Sequence, residues 1–190
     1  MTFSRSNTIV GWLLFVLSII VYVLTLEPSV SFWDCGEWIS VAYGLQVGHP
    51  PGAPLYILLA KIFSLFSFGN VSAVAYCVNL LSAVASALTV MFLFWTATYF
   101  IKLLFSKMSK KVYHDDFIVL LSAAVGALVY TFSHTFWSSA VEAEVYALSS
   151  LFSAIIVWAA TKCVRSQHYA SQWLLLICFL IGISYSVHNL

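Results

Sequence analysis

The run Thr8–Leu26, TIVGWLLFVLSIIVYVLTL, decides the fold class, since it is 19 residues long and carries no charged side chain. At roughly 1.5 Å per residue it matches a bilayer core of about 30 Å, so it predicts a transmembrane helix. Arg5 precedes it in a short polar head, as in a secretory signal. The run is longer than the apolar part of a typical signal and no small-residue cleavage site follows, so we expect an uncleaved signal anchor.

The composition also indicates an integral membrane protein. Of the 190 residues, 62% are hydrophobic and 8% are charged, the formal net charge is +1, and the mean hydropathy is +0.98. These values exclude an ordinary soluble domain and a disordered chain, and they offer no basic footprint for nucleic acid. The cysteines show no CxxC pair and no metal-ligand spacing, so we interpret them as small apolar side chains. They are Cys35, Cys77, Cys163 and Cys178.

Further apolar runs predict four more spans, at residues 71–105, 117–132, 145–161 and 173–190. The run 71–105 is overlong for one crossing, so it is either tilted or projects from the membrane. The distribution of basic residues indicates whether residues 51–68 span the membrane. Basic loops favour the cytoplasmic side, and the later basic loops lie on the same side as Arg5 only if residues 51–68 do not cross the bilayer. Those loops contain Lys107, Lys110, Lys111, Lys162 and Arg165.

We therefore predict a single all-α membrane domain over residues 1–190, with five transmembrane helices and a cytoplasmic N-terminus. The first span is 8–26. Residues 33–47 and 51–68 would form two interfacial helices in the first outer loop, where their Trp and Tyr side chains suit the membrane surface. This topology places most acids outside and most basic residues inside; the acidic exceptions are Asp115 and Asp116.

The first outer loop contains the main candidate site residues. Asp34 and Glu37 are three residues apart, so on a helix they share a face. Two nearby carboxylates raise each other's proton affinity, which suits one of them to be a general base. The alternative is structural, since Asp34 in a first helical turn complements the helix dipole whatever the protein does.

The segment Gly48–Pro54, GHPPGAP, predicts a rigid corner between the two interfacial helices, because consecutive prolines fix the backbone and remove donors. His49 would be held at this corner. It either bonds to a backbone carbonyl or donates to an anionic group such as a phosphate. Lys61, on the following helix, is interpreted as a side chain that extends its ammonium to water.

The second outer loop adds weaker candidates. Glu142 and Glu144 are two apart, so a continuing helix would point them to nearly opposite sides and at most one would face a shared cavity, with Tyr146 on the face of Glu142. His188, at the outer end of the fifth span, either reaches the same cavity or, with Asn189, bonds to a neighbouring helix.

These motifs resemble a known family. Trp33-Asp34-Cys35-Gly36-Glu37 and Gly48-His49-Pro50-Pro51-Gly52, with the later Glu142–Tyr146 and Gly182–His188, are similar to a multi-span bacterial family known as a domain of unknown function. Its eukaryotic relatives are transmembrane protein O-mannosyltransferases. The resemblance covers nearly the whole chain, which corresponds to an N-terminal portion because such enzymes have more spans and usually a soluble outer domain.

The resemblance implies a GT-C type glycosyltransferase that moves a sugar, with mannose as the candidate, from a polyprenyl-phosphate carrier to a Ser or Thr hydroxyl of a protein. It implies Asp34 as the general base, Glu37 as its helper or as an acceptor-positioning group, and His49, Glu144 and His188 as substrate-binding residues. The implied location is the inner membrane of a bacterium, with the active face in the periplasm.

Two other classes of function remain open: a transporter, which needs charges facing each other at mid-bilayer, and a non-catalytic assembly subunit. The expected partners are membrane lipid, the lipid-linked sugar and the protein acceptor, with no nucleic acid. No cofactor is expected. No metal is required either, although Asp34, Glu37 and His49 are residue types that ligate metals.

Overall fold

The described part of the chain is helical throughout. The computed structural model describes residues 2–50, 52–108, 116–166 and 168–187. Within these ranges there are eight α-helices, the short 3₁₀-helices Leu65–Ser67 and Val71–Ala73, and no strand. The α-helices are α1 (Phe3–Leu24), α2 (Cys35–Gly44), α3 (Pro54–Ser64), α4 (Val74–Met108), α5 (Asp116–Thr131), α6 (His134–Val141), α7 (Val145–Arg165) and α8 (Ala170–Ser184). The predicted class, an all-α membrane protein, is confirmed.

Helix α4 forms the centre of the bundle, and α1, α3, α5, α6 and α7 all pack against it. Small buried side chains such as Ala83 and Ala87 lie along it and let neighbouring helices approach closely. Helix α1 crosses it at Gly11, where a Cβ would collide with the Trp95 ring. Trp95 Nε1 donates a hydrogen bond to the Asn7 carbonyl oxygen at 3.1 Å. The beginning of α1 therefore lies beside the second half of α4.

Hydrogen bonds between distant segments define one end of the bundle. Asn79, near the beginning of α4, donates to the carbonyl oxygen of Glu27 at 2.7 Å, and Leu55 N donates to the Ser186 carbonyl oxygen at 3.0 Å. We call this the acidic end, and it carries Glu27, Asp34, Glu37, Glu142 and Glu144. The opposite end, where α1 and α5 begin and α4 and α7 end, is the basic end. It carries Arg5, Lys102, Lys107, Lys162 and Arg165, with Asp116.

Three described helices, α1, α4 and α7, are long and apolar enough to cross a membrane. A fourth candidate is the pair α5 and α6, which is bent by 64° at a short break. Helix α8 has 15 residues, fewer than the roughly 20 that a straight crossing needs. Length therefore supports three or four crossings, and the fifth span stays a prediction.

The predicted boundaries shift where polar residues continue a helix. Helix α1 begins at Phe3 rather than at residue 8, so its polar head is helical. Helix α3 begins at Pro54, since the fixed φ of proline suits the first helical position. The residues of the predicted topology and site that lie outside the described ranges are Pro51, Lys110, Lys111, Asp115, His188 and Asn189.

Candidate active site at the acidic end

A small cavity at the acidic end brings together three predicted site residues, Asp34, His49 and Glu144. It lies between the beginning of α2, the proline corner and the beginning of α7. Its volume is about 90 Å³, which is room for about three water molecules. The remaining lining residues are Trp38, Pro50, Ala53, Val145, Tyr146 and Val187. Glu37 does not line it, and His188, the residue after Val187, lies beyond the described part.

Asp34 immediately precedes α2, and its side chain is exposed. The carboxylate makes no capping hydrogen bond to the described residues; its backbone carbonyl oxygen accepts one from Trp38 N at 2.9 Å. Trp33, just before it, has a φ of 61°, a left-handed conformation that is unfavourable for a bulky residue and often occurs near functional sites. The Asp34 carboxylate lines the cavity, and its position directly before the first turn of α2 also complements the helix dipole, the structural alternative.

Glu37 holds His49 in place. One carboxylate oxygen, Oε1, accepts a hydrogen bond from His49 N at 2.6 Å, and the other, Oε2, lies 3.0 Å from His49 Nδ1. The backbone hydrogen bond first, and then the side-chain bond to the same residue, lower the pKa of Glu37 below its usual value. The expectation that neighbouring carboxylates raise the pKa of Glu37 is therefore wrong, because its partner is a donor.

This pairing determines which nitrogen of the His49 imidazole carries a proton. An ionised carboxylate only accepts hydrogen bonds, so Nδ1 of His49 must carry the proton it donates. Nε2 is then the ring nitrogen left for another partner. The alternative predicted for His49, a bond to a backbone carbonyl, is replaced by the bond to Glu37.

The proline corner is as sharp as its sequence predicted. Gly52 N donates to the carbonyl oxygen of His49 at 2.8 Å, and Gly52 has a φ of 93°, which glycine adopts readily. The His49 ring packs on the Trp38 indole, with ring centroids 4.9 Å apart. A Cβ on Gly48 would lie 2.8 Å from the same indole. The corner thus needs glycine at position 48 to keep His49 between Glu37 and Trp38.

Glu142 and Glu144 lie in a break between two helices. Both have extended backbone conformations, so the expectation of a continuing helix is wrong. The Cys35 Sγ donates toward Glu142 Oε2 at 3.6 Å and toward Glu144 Oε1 at 3.4 Å. Both carboxylates therefore reach one buried thiol, while Glu144 alone lines the cavity.

Cys35 joins the beginning of α2 to the segment between α6 and α7, a role that was not predicted. Its side chain is fully buried. Burial, and then the charges and hydrogen bonds of the two glutamates, raise the pKa of the thiol. It therefore stays protonated and acts as a donor. Single-sequence patterns cannot reveal such a contact, because the partners are 107 and 109 residues away.

Glu144 has the opposite electrostatic environment from Glu37. Burial raises the pKa of the Glu144 carboxyl, and the charges of Asp34 and Glu142 add to the effect, while the bond from Cys35 opposes it. The cavity thus contains a carboxyl with an increased affinity for a proton beside the exposed carboxylate of Asp34. Such a pair is typical of acid–base chemistry.

Lys61 lies outside the cavity. It donates to the carbonyl oxygen of Tyr43 at 2.5 Å, and its ammonium lies 4.9 Å from the Tyr43 ring centroid. A cation at the last turn of α2 stabilises the helix through its dipole. Lys61 thus ties α3 to α2, a structural role.

A groove between the long helices adjoins this cavity at Tyr146. It has a volume of about 410 Å³ and lies over α4 between α5 and α7. Its walls are apolar groups and small hydroxyls: Thr89, Leu93 and Thr96 of α4, Tyr130 of α5, and Ser149, Ser150, Ser153, Ala154 and Val157 of α7. Tyr146 borders both this groove and the cavity. The two spaces are therefore neighbours.

Within residues 2–50, 52–108, 116–166 and 168–187, no group of three or more His, Cys, Asp or Glu side chains is placed to hold a metal ion. Asp34, Glu37 and His49 do not converge, because Glu37 is directed at His49 rather than into the cavity.

The fold and the cavity define an all-α membrane protein with an acidic site at one end of its helix bundle. Residues 34–190 match the family "Protein O-mannosyl-transferase TMEM260 N-terminal domain". The chain belongs to this family. This match confirms two parts of the resemblance inferred from the sequence motifs: the relation to O-mannosyltransferases, and the correspondence of this chain to their N-terminal portion.

Two relatives give the scale of the match. The chain is 31% identical over 160 residues to "Protein O-mannosyl-transferase tmem260" of Dictyostelium discoideum, covering 84% of this chain and 18% of the relative. It is 36% identical over 141 residues to "Protein O-mannosyl-transferase TMEM260" of Mus musculus, covering 72% of this chain and 17% of the relative. The chain thus spans less than a fifth of these relatives. No solved structure matches it significantly.

Proposed function

We propose that this chain is the N-terminal membrane module, one domain over residues 1–190, of a GT-C type glycosyltransferase. The enzyme moves mannose from a polyprenyl-phosphate carrier to a Ser or Thr hydroxyl of a protein. Family membership supports the reaction class, and the names of the relatives support the sugar and the protein acceptor. The structural observation that carries the proposal is the meeting of Asp34, His49 and Glu144 in one cavity.

In this proposal Asp34 is the general base. It takes the proton of the acceptor hydroxyl while the oxygen attacks the anomeric carbon, and the bond from that carbon to the carrier phosphate breaks with inversion of configuration. The electron pair leaves with the polyprenyl phosphate. The carboxylate of Asp34 is exposed and makes no capping hydrogen bond to the described residues, so it is available for this role. The cavity of about 90 Å³ is large enough for the reacting hydroxyl rather than for the whole sugar.

The other candidates hold or receive the substrates. Glu37 is a positioning residue that fixes the His49 ring, and Nε2 of His49 donates to the leaving phosphate when the ring is protonated. Glu144, with its raised pKa, binds the acceptor or the sugar hydroxyls beside Asp34. His188 stays a proposed substrate-binding residue, on the resemblance alone.

The groove between α5 and α7 supports a lipid-linked donor. Its walls are mostly apolar, and Tyr146 lines both the groove and the cavity. An isoprenoid chain buries its apolar surface in such a groove. The phosphate at its end would then lie beside the cavity that holds His49.

We also propose the sidedness and the location. The basic end faces the cytoplasm, by the positive-inside bias, and the acidic end faces outside. The separation of charges between the two ends of the bundle supports this orientation. The cytoplasmic membrane of a bacterium follows from the sequence resemblance only.

Replacement of one carboxylate tests the function. Membranes containing the protein with Asp34→Asn are incubated with labelled polyprenyl-phosphate mannose and a Ser/Thr-rich peptide, and the glycopeptide is measured by mass spectrometry. Transfer should fall by about 10²–10⁴-fold, the usual contribution of a general base. Glu27→Gln is the matched control, since Glu27 lies at the same end and bonds Ser29 outside the cavity. Undiminished transfer by the Asp34 variant would refute the assignment.

A further inference from the structure

A large cavity at the basic end has no part in the proposed reaction. Its volume is about 530 Å³, and it lies between α1, α4 and α7. Three of its lining side chains are cations, Lys102, Lys162 and Arg165. Polar side chains of α1 and α4, including Asn7 and Thr98, line it as well. The Asp34 cavity is at the other end of the bundle, so the basic cavity is a separate site.

The charge of the basic cavity is largely unbalanced. Within the described part of the chain, the one carboxylate in ion-pair contact with it is that of Asp116, whose Oδ1 lies 2.9 Å from Lys102 Nζ. Lys162 and Arg165 have no carboxylate partner in those ranges. Three cations and one anion leave two positive charges. A cavity with this excess is complementary to an anion.

Aromatic rings hold the two unpaired cations in position. Lys162 Nζ lies 5.1 Å from the Trp158 ring centroid, and the Arg165 guanidinium lies 5.8 Å from that of Tyr99. Such contacts orient a cation while leaving its N–H groups available. The two side chains are also three residues apart on α7, so they project from the same face of the helix.

The side-chain amide of Asn7 lines the cavity together with these cations. The side-chain oxygen of Asn7 is buried, and it has no hydrogen-bond partner in the described ranges. Burial without a partner is unfavourable, and the amide can turn to present either its oxygen or its NH₂ group. With the amide turned so that its NH₂ group takes this position, the amide would donate a hydrogen bond to an anion in the cavity.

We propose that the basic cavity binds a phosphate group through Lys162, Arg165 and Asn7. A guanidinium donates two parallel hydrogen bonds to phosphate oxygens, and an ammonium adds a point charge. The phosphate belongs to the headgroup of an anionic lipid or to a soluble phosphate ester. The position of the cavity between membrane-crossing helices is typical of sites for lipid headgroups.

Native mass spectrometry of the protein in nanodiscs tests the site. The discs contain phosphatidylcholine with increasing phosphatidylglycerol, and retained lipid is counted for each variant. Each basic side chain strengthens such binding roughly fivefold, so Lys162→Gln with Arg165→Gln should weaken retention about 30-fold. Lys107→Gln, at the same end but outside the cavity, is the matched control and should bind as the parent does. Circular dichroism verifies that each variant is folded.

A second variant changes binding in the opposite direction, which misfolding cannot imitate. Asp116→Asn releases Lys102 from its ion pair and should strengthen retention roughly fivefold. Glycerol phosphate added to the buffer separates the two sources: displacement of lipid indicates a soluble ester, and no displacement indicates a headgroup. Full retention by the double variant, an equal loss with Lys107→Gln, or no gain with Asp116→Asn would overturn the proposal.

Discussion

The carboxylate of Glu37 binds His49 twice, accepting from its backbone N at 2.6 Å and lying 3.0 Å from its Nδ1. One side chain thus fixes both the backbone and the ring of a residue 12 positions away. This double contact joins the first turn of α2 to the proline corner. Glu37 therefore acts on the cavity indirectly, by positioning His49. Asp34, just before the same helix, lines the cavity itself.

The stabilisation that Glu37 provides through His49 should depend on pH. The pKa of Glu37 lies below its ordinary value of 4.5 in the folded protein, so its stabilising effect is present above pH 4.5 and is lost as the pH falls through the lower, folded-state pKa. We expect Glu37→Gln to lower the melting temperature at pH 7 and to match the parent at strongly acidic pH. Thermal unfolding in detergent between pH 7 and pH 3 measures this. A difference independent of pH would contradict it.

Glu144 should show the reverse behaviour. Because burial raises its pKa above 4.5 in the folded state, ionisation costs folding stability as the pH rises through that raised value. Glu144→Gln should therefore melt at a higher temperature than the parent at pH 7, and the gain should vanish below pH 4.5. The same titration series measures it. Equal melting temperatures of the two proteins at pH 7 would show that the burial of Glu144 carries no cost.

Gly48→Ala tests the packing behind His49. The added methyl group would lie 2.8 Å from the Trp38 ring, so the indole and the imidazole on it must shift. Overpacking of this kind usually costs about 1–3 kcal/mol, which denaturant unfolding measures. Gly126→Ala is the matched control, since a Cβ there meets nothing within 4 Å. If both variants lose the same stability, close packing at position 48 is not the cause.

Filling the groove tests the proposed donor site. Ser153→Leu places apolar bulk in the groove between α5 and α7, where it competes with an isoprenoid chain. The KM for the lipid-linked donor should rise about tenfold while kcat changes little, as for loss of uniform binding. Val164→Phe enlarges an exposed side chain of the same helix outside the groove and should leave KM unchanged. An unaltered KM for Ser153→Leu would show that the isoprenoid chain of the donor does not bind in this groove.

The membrane-spanning helices were largely predictable because burial in lipid demands long apolar runs. The runs 8–26, 71–105 and 145–161 correspond to α1, α4 and α7, with limits displaced by up to five residues. The bend between α5 and α6 was not predictable from hydropathy. His134–Val141 mixes apolar side chains with His, Thr and Ser, so its composition does not set its direction. Tertiary contacts such as the packing of the Phe136 ring against Tyr130 do.

The sequence predicted which residues form the candidate site better than it predicted the contacts between them. Asp34, His49 and Glu144 stood out because ionisable residues are rare in this chain, and they do meet. The contact of Cys35 with two glutamates had no local signal, since its partners come from another loop. The extended backbone at Glu142 likewise depends on a long-range bond, from Glu27 N to the Val141 carbonyl oxygen at 3.1 Å.

The unbroken length of α4 links the protein to the thickness of its bilayer. Its 35 residues extend about 52 Å, well beyond a hydrocarbon core of roughly 30 Å. The helix supplies Thr96 to the groove and Trp95 and Thr98 to the basic cavity. A thinner or thicker bilayer that changes the tilt of α4 must displace the groove and the basic cavity together, so a change in lipid composition should alter the shapes of both spaces at once.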